Sequence, residues 1–127
     1  MKIRETALRL KRFEAEEKSR RVKDIEFMIR EFSSMANDLD RQIKIEEDRT
    51  GIKDFRNISY SMLAKSLAER RNNLVTSVEE LQLKRELAIK ERDDAIDQLA
   101  RSEAHLNKDL IKLTSRDKEQ LDSAVLG

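Results

Sequence analysis

The chain has 127 residues, enough for one domain, and charged side chains make up 42% of it against 4% aromatic. Such a composition excludes a multilayered core and leaves one narrow apolar seam between helices, while the absence of cysteine excludes disulfides and thiolate metal sites. The 27 basic and 26 acidic side chains leave a net charge of +1, which gives no global attraction to nucleic acid or to a membrane surface.

The first predicted element is a helix over about residues 3–49. Its opening segment, MKIRETALRLKRF, carries five basic residues and one acidic one. Ile3, Ala7, Leu10 and Phe13 fall on one side of it. A basic amphipathic helix of this kind can meet a membrane surface or a partner's groove. The plainer reading is a helix end that closes on residues 95–106 of the same chain. The basic stretch is too short for the DNA-binding arm of a leucine zipper and contains no asparagine.

After a polar stretch from Glu14 to Arg21, in which only Ala15 is apolar, the pattern becomes regular. Val22, Ile25, Ile29, Phe32, Ala36, Leu39 and Ile43 alternate steps of three and four, and all are apolar. That spacing is the seam of a coiled coil, in which a period near 3.5 keeps one face toward the partner helix. Phe27, Met28 and Met35 lie beside the stripe and are the candidates for self-association of two hairpins.

The connection is predicted over about residues 50–58. Gly51 suits the position after a helix end, because glycine reaches left-handed backbone angles at low cost. Ser59 is the expected N-cap of the second helix, with Ile58 and Leu63 at the spacing of a hydrophobic staple. Glu46, Glu47, Asp48 and Asp54 make the tip acidic. In one reading these carboxylates position a metal ion in a partner's active site; in the plainer reading they are solvated.

The second helix is predicted over about residues 59–116, followed by a tail over 117–127. Tyr60, Ala64, Leu67, Leu74, Val78 and Leu81 repeat the alternation, broken only by Arg71. Ala88, Ala95 and Leu99 continue it, and Leu106, Leu110 and Leu113 resume it. Arg71, Arg85 and Arg92 stand in the seam, where their stems can cover apolar neighbours while the guanidinium groups reach water. Together these elements predict an all-α fold, a long antiparallel two-helix coiled-coil hairpin forming a single domain. The expected register sets Glu46 opposite Ser61, Phe32 opposite Leu74–Val75, Ile29 opposite Val78 and Leu8 opposite Leu99.

Nothing in the pattern marks catalysis. There is no glycine-rich phosphate loop, and His105 is the single histidine. A two-helix hairpin offers little concavity for converging carboxylates. No cofactor, metal or enzymatic site is therefore expected. The longest uncharged run, Asn57 to Ala64, is eight residues, against the roughly 20 that a membrane span needs. With no apolar run behind Lys2 and Arg4, no secretory signal is expected either, and the expected location is cytoplasmic.

The local wording of the chain resembles a known family. The stretches RETALRLKRFEAEEKSRRVKDIEFMIREF, DLDRQIKIEEDRTGIKD and YSMLAKSLAERRNNL are similar to the alphaproteobacterial form of the flagellar export protein FliJ, over about residues 1–80. The informative combination is a Leu-Lys-Arg-Phe start, an Arg-Thr-Gly-Ile tip and an Arg-Arg-Asn-Asn-Leu block. Family members often carry prolines near the positions of Phe55 and Ser61; this chain has none. The resemblance implies a non-enzymatic component of the flagellar type III export apparatus, peripheral at the inner face of the cell membrane at the flagellar base. Its implied partners are the export ATPase ring, the membrane export gate and the export chaperones. It places Lys2, Arg4, Arg9, Lys11, Arg12 and Phe13 toward the ATPase ring, together with the chain from His105 onward. Two rival expectations stay open: a transcription-associated hairpin factor acting through the acidic tip, and a coiled-coil adaptor or chaperone with unrelated partners.

Overall fold

The computed structural model describes residues 2–126, and the side chains of residues 2–121. Helix α1 runs from Lys2 to Thr50 and helix α2 from Met62 to Leu126. Neither contains an interior glycine or proline, so nothing in the backbone interrupts 49 residues of one and 65 of the other. Glu5 in the first turn of α1 and Arg49 in its last turn carry the charges that oppose the helix dipole. The two helices pack against each other in antiparallel sense as an all-α hairpin.

Contacts group the chain into two units: Arg21–Ala88, and a second unit of the residues before 21 and from 89 onward. Within the first, Val22, Ile25, Ala36, Leu39 and Ile43 of α1 and Tyr60, Ala64, Leu67, Leu81 and Ala88 of α2 are buried. Ile29, Phe32, Leu74 and Val78 are half-buried. Leu39, Ile43 and Leu67 form a core cluster, with Ala68 and Leu74 packed on it. Burying each such aliphatic side chain stabilises the fold by about 1.5–3 kcal/mol. Arg71 and Arg85 occupy seam positions and reach sideways, Arg71 to Asp40 at 2.8 Å and Arg85 to Glu26 at 3.2 Å. Phe27, Met28 and Met35 are 55%, 40% and 47% exposed.

In the second unit the same repeat is filled with smaller and more polar groups. Leu8 and Ala15 are buried, while Ala95, Leu99 and Leu106 are half-buried. Lys11, Lys18, Arg92, Ser102 and Asp109 stand at the remaining seam positions, each half-buried. Arg4 of α1 pairs with Asp109 of α2, so α2 outruns α1 just beyond that point. Leu110 and Leu113, expected to resume the seam, are consequently exposed.

Four expectations need correction. The register is displaced by about one helical turn of ~3.6 residues: Ile29 shares a groove with Gln82 and Arg85 instead of facing Val78, and Leu8 shares one with Ser102 and Leu106 instead of facing Leu99. The expected pairing was anchored on Glu46 and Ser61, which do touch, but across the mouth of the turn and not within the seam. Second, α2 starts at Met62, three residues later than expected. Ser61 is its N-cap: the Ser61 hydroxyl accepts from the Ala64 N–H at 3.2 Å. Ser59 instead belongs to the connection, donating its N–H to the Asn57 side chain at 2.9 Å. Third, Ile58 is fully exposed and Leu63 is 56% exposed, so they form no staple. Fourth, α2 does not stop near residue 116 but continues to Leu126; Gly127 lies outside the described residues.

Candidate functional site

Two places gather chemistry, one in each unit. The first is the turn. α1 ends where Gly51 takes a φ of 73° and donates its N–H to the Glu47 carbonyl at 2.8 Å, the single-bond left-handed termination of a helix. A methyl group at Gly51 would meet nothing within 4 Å, so backbone conformation alone requires glycine there. The connection then makes two successive turns. Asp54 accepts from the Arg56 N–H at 2.9 Å, and Asn57 does the same for Ser59; the Asn57 and Tyr60 N–H groups donate to the Asp54 and Asn57 carbonyls. Phe55 tilts against Tyr60 with ring centroids 5.4 Å apart, and the Lys65 ammonium sits 5.6 Å above the Phe55 ring.

Glu46 locks the mouth of this turn. It is the one charged side chain among the described residues that is buried, at 8% exposure. Arg49 donates to both of its oxygens, at 2.9 and 2.6 Å, and the Ser61 hydroxyl donates to Oε1 at 2.8 Å. One serine thereby caps α2 and ties it to α1. The Arg49 hydrogen bonds first, and the Ser61 hydroxyl second, lower the Glu46 pKa to about 2 against the opposing effect of burial. Tyr60, buried and beside Glu47, is raised above its ordinary value, chiefly by desolvation.

The other tip acids are also engaged. Asp48 pairs with Lys53 at 3.3 Å and Asp54 shapes its own turn. Among the described residues no three metal-ligating side chains of His, Cys, Asp or Glu come together.

The second place lies in the other unit, between the start of α1 and the later part of α2. The six expected contact residues divide here. Arg4 pairs with Asp109, Arg12 with Glu103 at 3.3 Å, and the Lys11 ammonium donates to the Ser102 hydroxyl at 2.7 Å. These three close α1 onto α2, near the segment that the plainer reading expects. Lys2 and Arg9 are exposed, and Phe13 is 56% exposed; no ion pair involves Lys2 or Arg9 among the described residues. Between the helices runs a groove of about 370 Å³, lined by Ala7, Leu8 and Leu106 and flanked by Arg4, Lys11, His105 and Asp109.

Ser102 and Asp109 escape a reading based on apolar residues alone. Extending the three-and-four alternation from Leu81 without regard to polarity would have found them, since it passes through Arg85, Ala88, Arg92, Ala95, Leu99, Ser102, Leu106 and Asp109. His105 sits one position ahead of that line, at the groove wall. Among the described residues no helix is long and apolar enough to cross a membrane.

Fold and site together define a two-helix hairpin, with a locked turn in the Arg21–Ala88 unit and a groove flanked by Arg4, Lys11 and His105 in the terminal unit. No protein-family model, curated protein or solved structure matches the chain.

Proposed function

We propose that this protein is a non-enzymatic component of a flagellar type III export apparatus, linking the export ATPase ring to the membrane export gate and engaging export chaperones. The reading rests on the FliJ-like wording of residues 1–80. Among the structural observations, the one that carries it is the terminal unit, where the basic start of α1 and the facing part of α2 line a partly apolar groove suited to docking. In this reading the hairpin works mechanically: the terminal unit meets the ATPase ring, and the turn around Gly51 is not part of that contact. The protein acts at the cytoplasmic face of the membrane without inserting into it.

Arg4, Lys11 and Arg12 hold α1 on α2, so reversing them would disturb the fold as well as any interface. Arg9 and Phe13 are the cleaner probes. Arg9→Glu combined with Phe13→Ala is expected to reduce capture of the export ATPase at least tenfold and to abolish rescue of motility, with unchanged circular dichroism. Full capture and full motility would overturn the proposal. The rival acidic-tip reading requires Glu47 and Asp48 to be essential; Glu47→Gln with Asp48→Asn is expected to leave motility intact.

A further inference from the structure

The groove in the terminal unit has a chemistry more specific than a basic surface. Its apolar lining is Ala7, Leu8 and Leu106. Ala7 lines the groove; Ile3 and Leu10 lie on the same helical stripe of α1 as Ala7 and are 85% and 57% exposed. Ala7 is the small residue midway along that stripe, which lets another backbone approach closely.

The charges on the rim do not cancel. Arg4 neutralises Asp109, and Asp97 pairs with Arg101 at 3.1 Å. Lys11 is bonded to a neutral hydroxyl, that of Ser102. Lys108 is exposed and in no ion pair among the described residues; with Arg101, Ala104 and His105 it lines a shallow recess that shares His105 with the groove. Lys11 and Lys108 are left as uncompensated cations on opposite helices.

We infer that this groove receives an amphipathic helix of another protein, with leucine-type anchors at i, i+3 or i+4 and i+7 and with carboxylates on its flanks, completing a local three-helix packing. An apolar stripe would enter between Ala7 and Leu106, and the flanking acids would meet Lys11 in the groove and Lys108 in the adjoining recess that shares His105. A flat anionic membrane fits less well, because Leu8 is buried and Leu106 half-buried between the helices. The inference rests on the reading that the terminal unit docks a partner, and gives that partner's chemistry.

The test uses the full chain and a fluorescein-labelled helical peptide of about 20 residues, with leucine along one stripe and glutamate on its flanks. Fluorescence anisotropy is expected to show saturable binding to this peptide, and at least tenfold weaker binding to two controls: one with lysine for glutamate, one with alanine for leucine. Ala7→Glu and Lys108→Glu, both at exposed positions, should each weaken binding at least tenfold with unchanged circular dichroism. Arg116→Glu, beyond the groove, should not. Equal binding of the alanine control would overturn the inference, because charge alone would then suffice. So would binding insensitive to Ala7→Glu and Lys108→Glu, or preferential binding to vesicles of phosphatidylglycerol. A concentration-dependent dimer that competes with the peptide would overturn it too, by naming a second copy as the occupant. If the two groove variants capture export ATPase as well as the parent protein does, the groove inference fails and the export proposal survives. If the acidic peptide binds while no export ATPase is captured, the reverse holds.

Discussion

The two units are built on one repeat and differ in what fills it. In Arg21–Ala88 the seam of α1 is apolar at every step from Val22 to Ile43, and the cluster of Leu39, Ile43 and Leu67 anchors it. In the terminal unit, Lys11, Lys18, Arg92, Ser102 and Asp109 occupy equivalent positions, and the helices are joined largely by exposed ion pairs. Such pairs contribute about 0–1 kcal/mol each, less than the burial of one aliphatic side chain. The same geometry is thus held firmly in one unit and loosely in the other. The loose unit is the one with an open groove.

The sharpest way to break this contrast is to remove seam side chains from each unit in turn. Ile43→Ala should cost about 2–5 kcal/mol, read as a lower midpoint in urea. Leu8→Ala should cost less, because its neighbourhood is already an open groove. Equal losses would show that the units do not differ. Native-state hydrogen exchange should show the same order, with amides near Leu39 protected longer than those near Leu8.

Next in size is the lock. Ser61→Ala removes a cap worth about 1 kcal/mol, and it deprives Glu46 of one of its donors as well. Acid should act on the same contact. The folded pKa of Glu46 is lowered to about 2 from its ordinary 4.5, so its contribution is present in full above pH 4.5 and disappears as pH falls toward 2. Exchange at the Ala64 and Lys65 amides, followed from pH 5 downward, should report this loss; in Glu46→Gln protein that acid dependence should vanish. Gly51→Ala comes third, at about 1 kcal/mol from backbone strain alone, since nothing crowds the added methyl. Lys18→Ala, which removes an exposed pair to Glu91, should change the midpoint by no more than about 1 kcal/mol. A larger loss there would mean that the terminal unit depends on its charges more than its exposure allows.

The sequence made some of this readable for a simple reason. Helix type, hairpin topology and the identity of the seam residues follow from spacing, and spacing is visible in the chain. Register was harder. In a strict seven-residue repeat, a slip of one turn still sets apolar residues opposite apolar residues, so Ile29 looks equally content beside Val78 or farther along. The choice is made by long side chains that pattern reading treats as interruptions: Arg71 reaching Asp40, Arg85 reaching Glu26, and Lys11 bonding Ser102. The N-cap is ambiguous in the sequence for a related reason. Ser59 and Ser61 are equivalent in type, and only the turns organised by Asp54 and Asn57 decide which one meets the free N–H groups. The groove could not be read in advance, because it depends on that register.

The tie between Glu46 and Ser61 has a consequence for the segment between them. Glu46 lies in α1 and Ser61 caps α2, and the bonds from Arg71 and Arg85 that fix the register run between the helices, so alignment of α1 with α2 depends little on covalent continuity between them. A chain cleaved between Lys53 and Arg56 should therefore give two fragments that find the same alignment when mixed. The link would then serve mainly as a tether that raises local concentration.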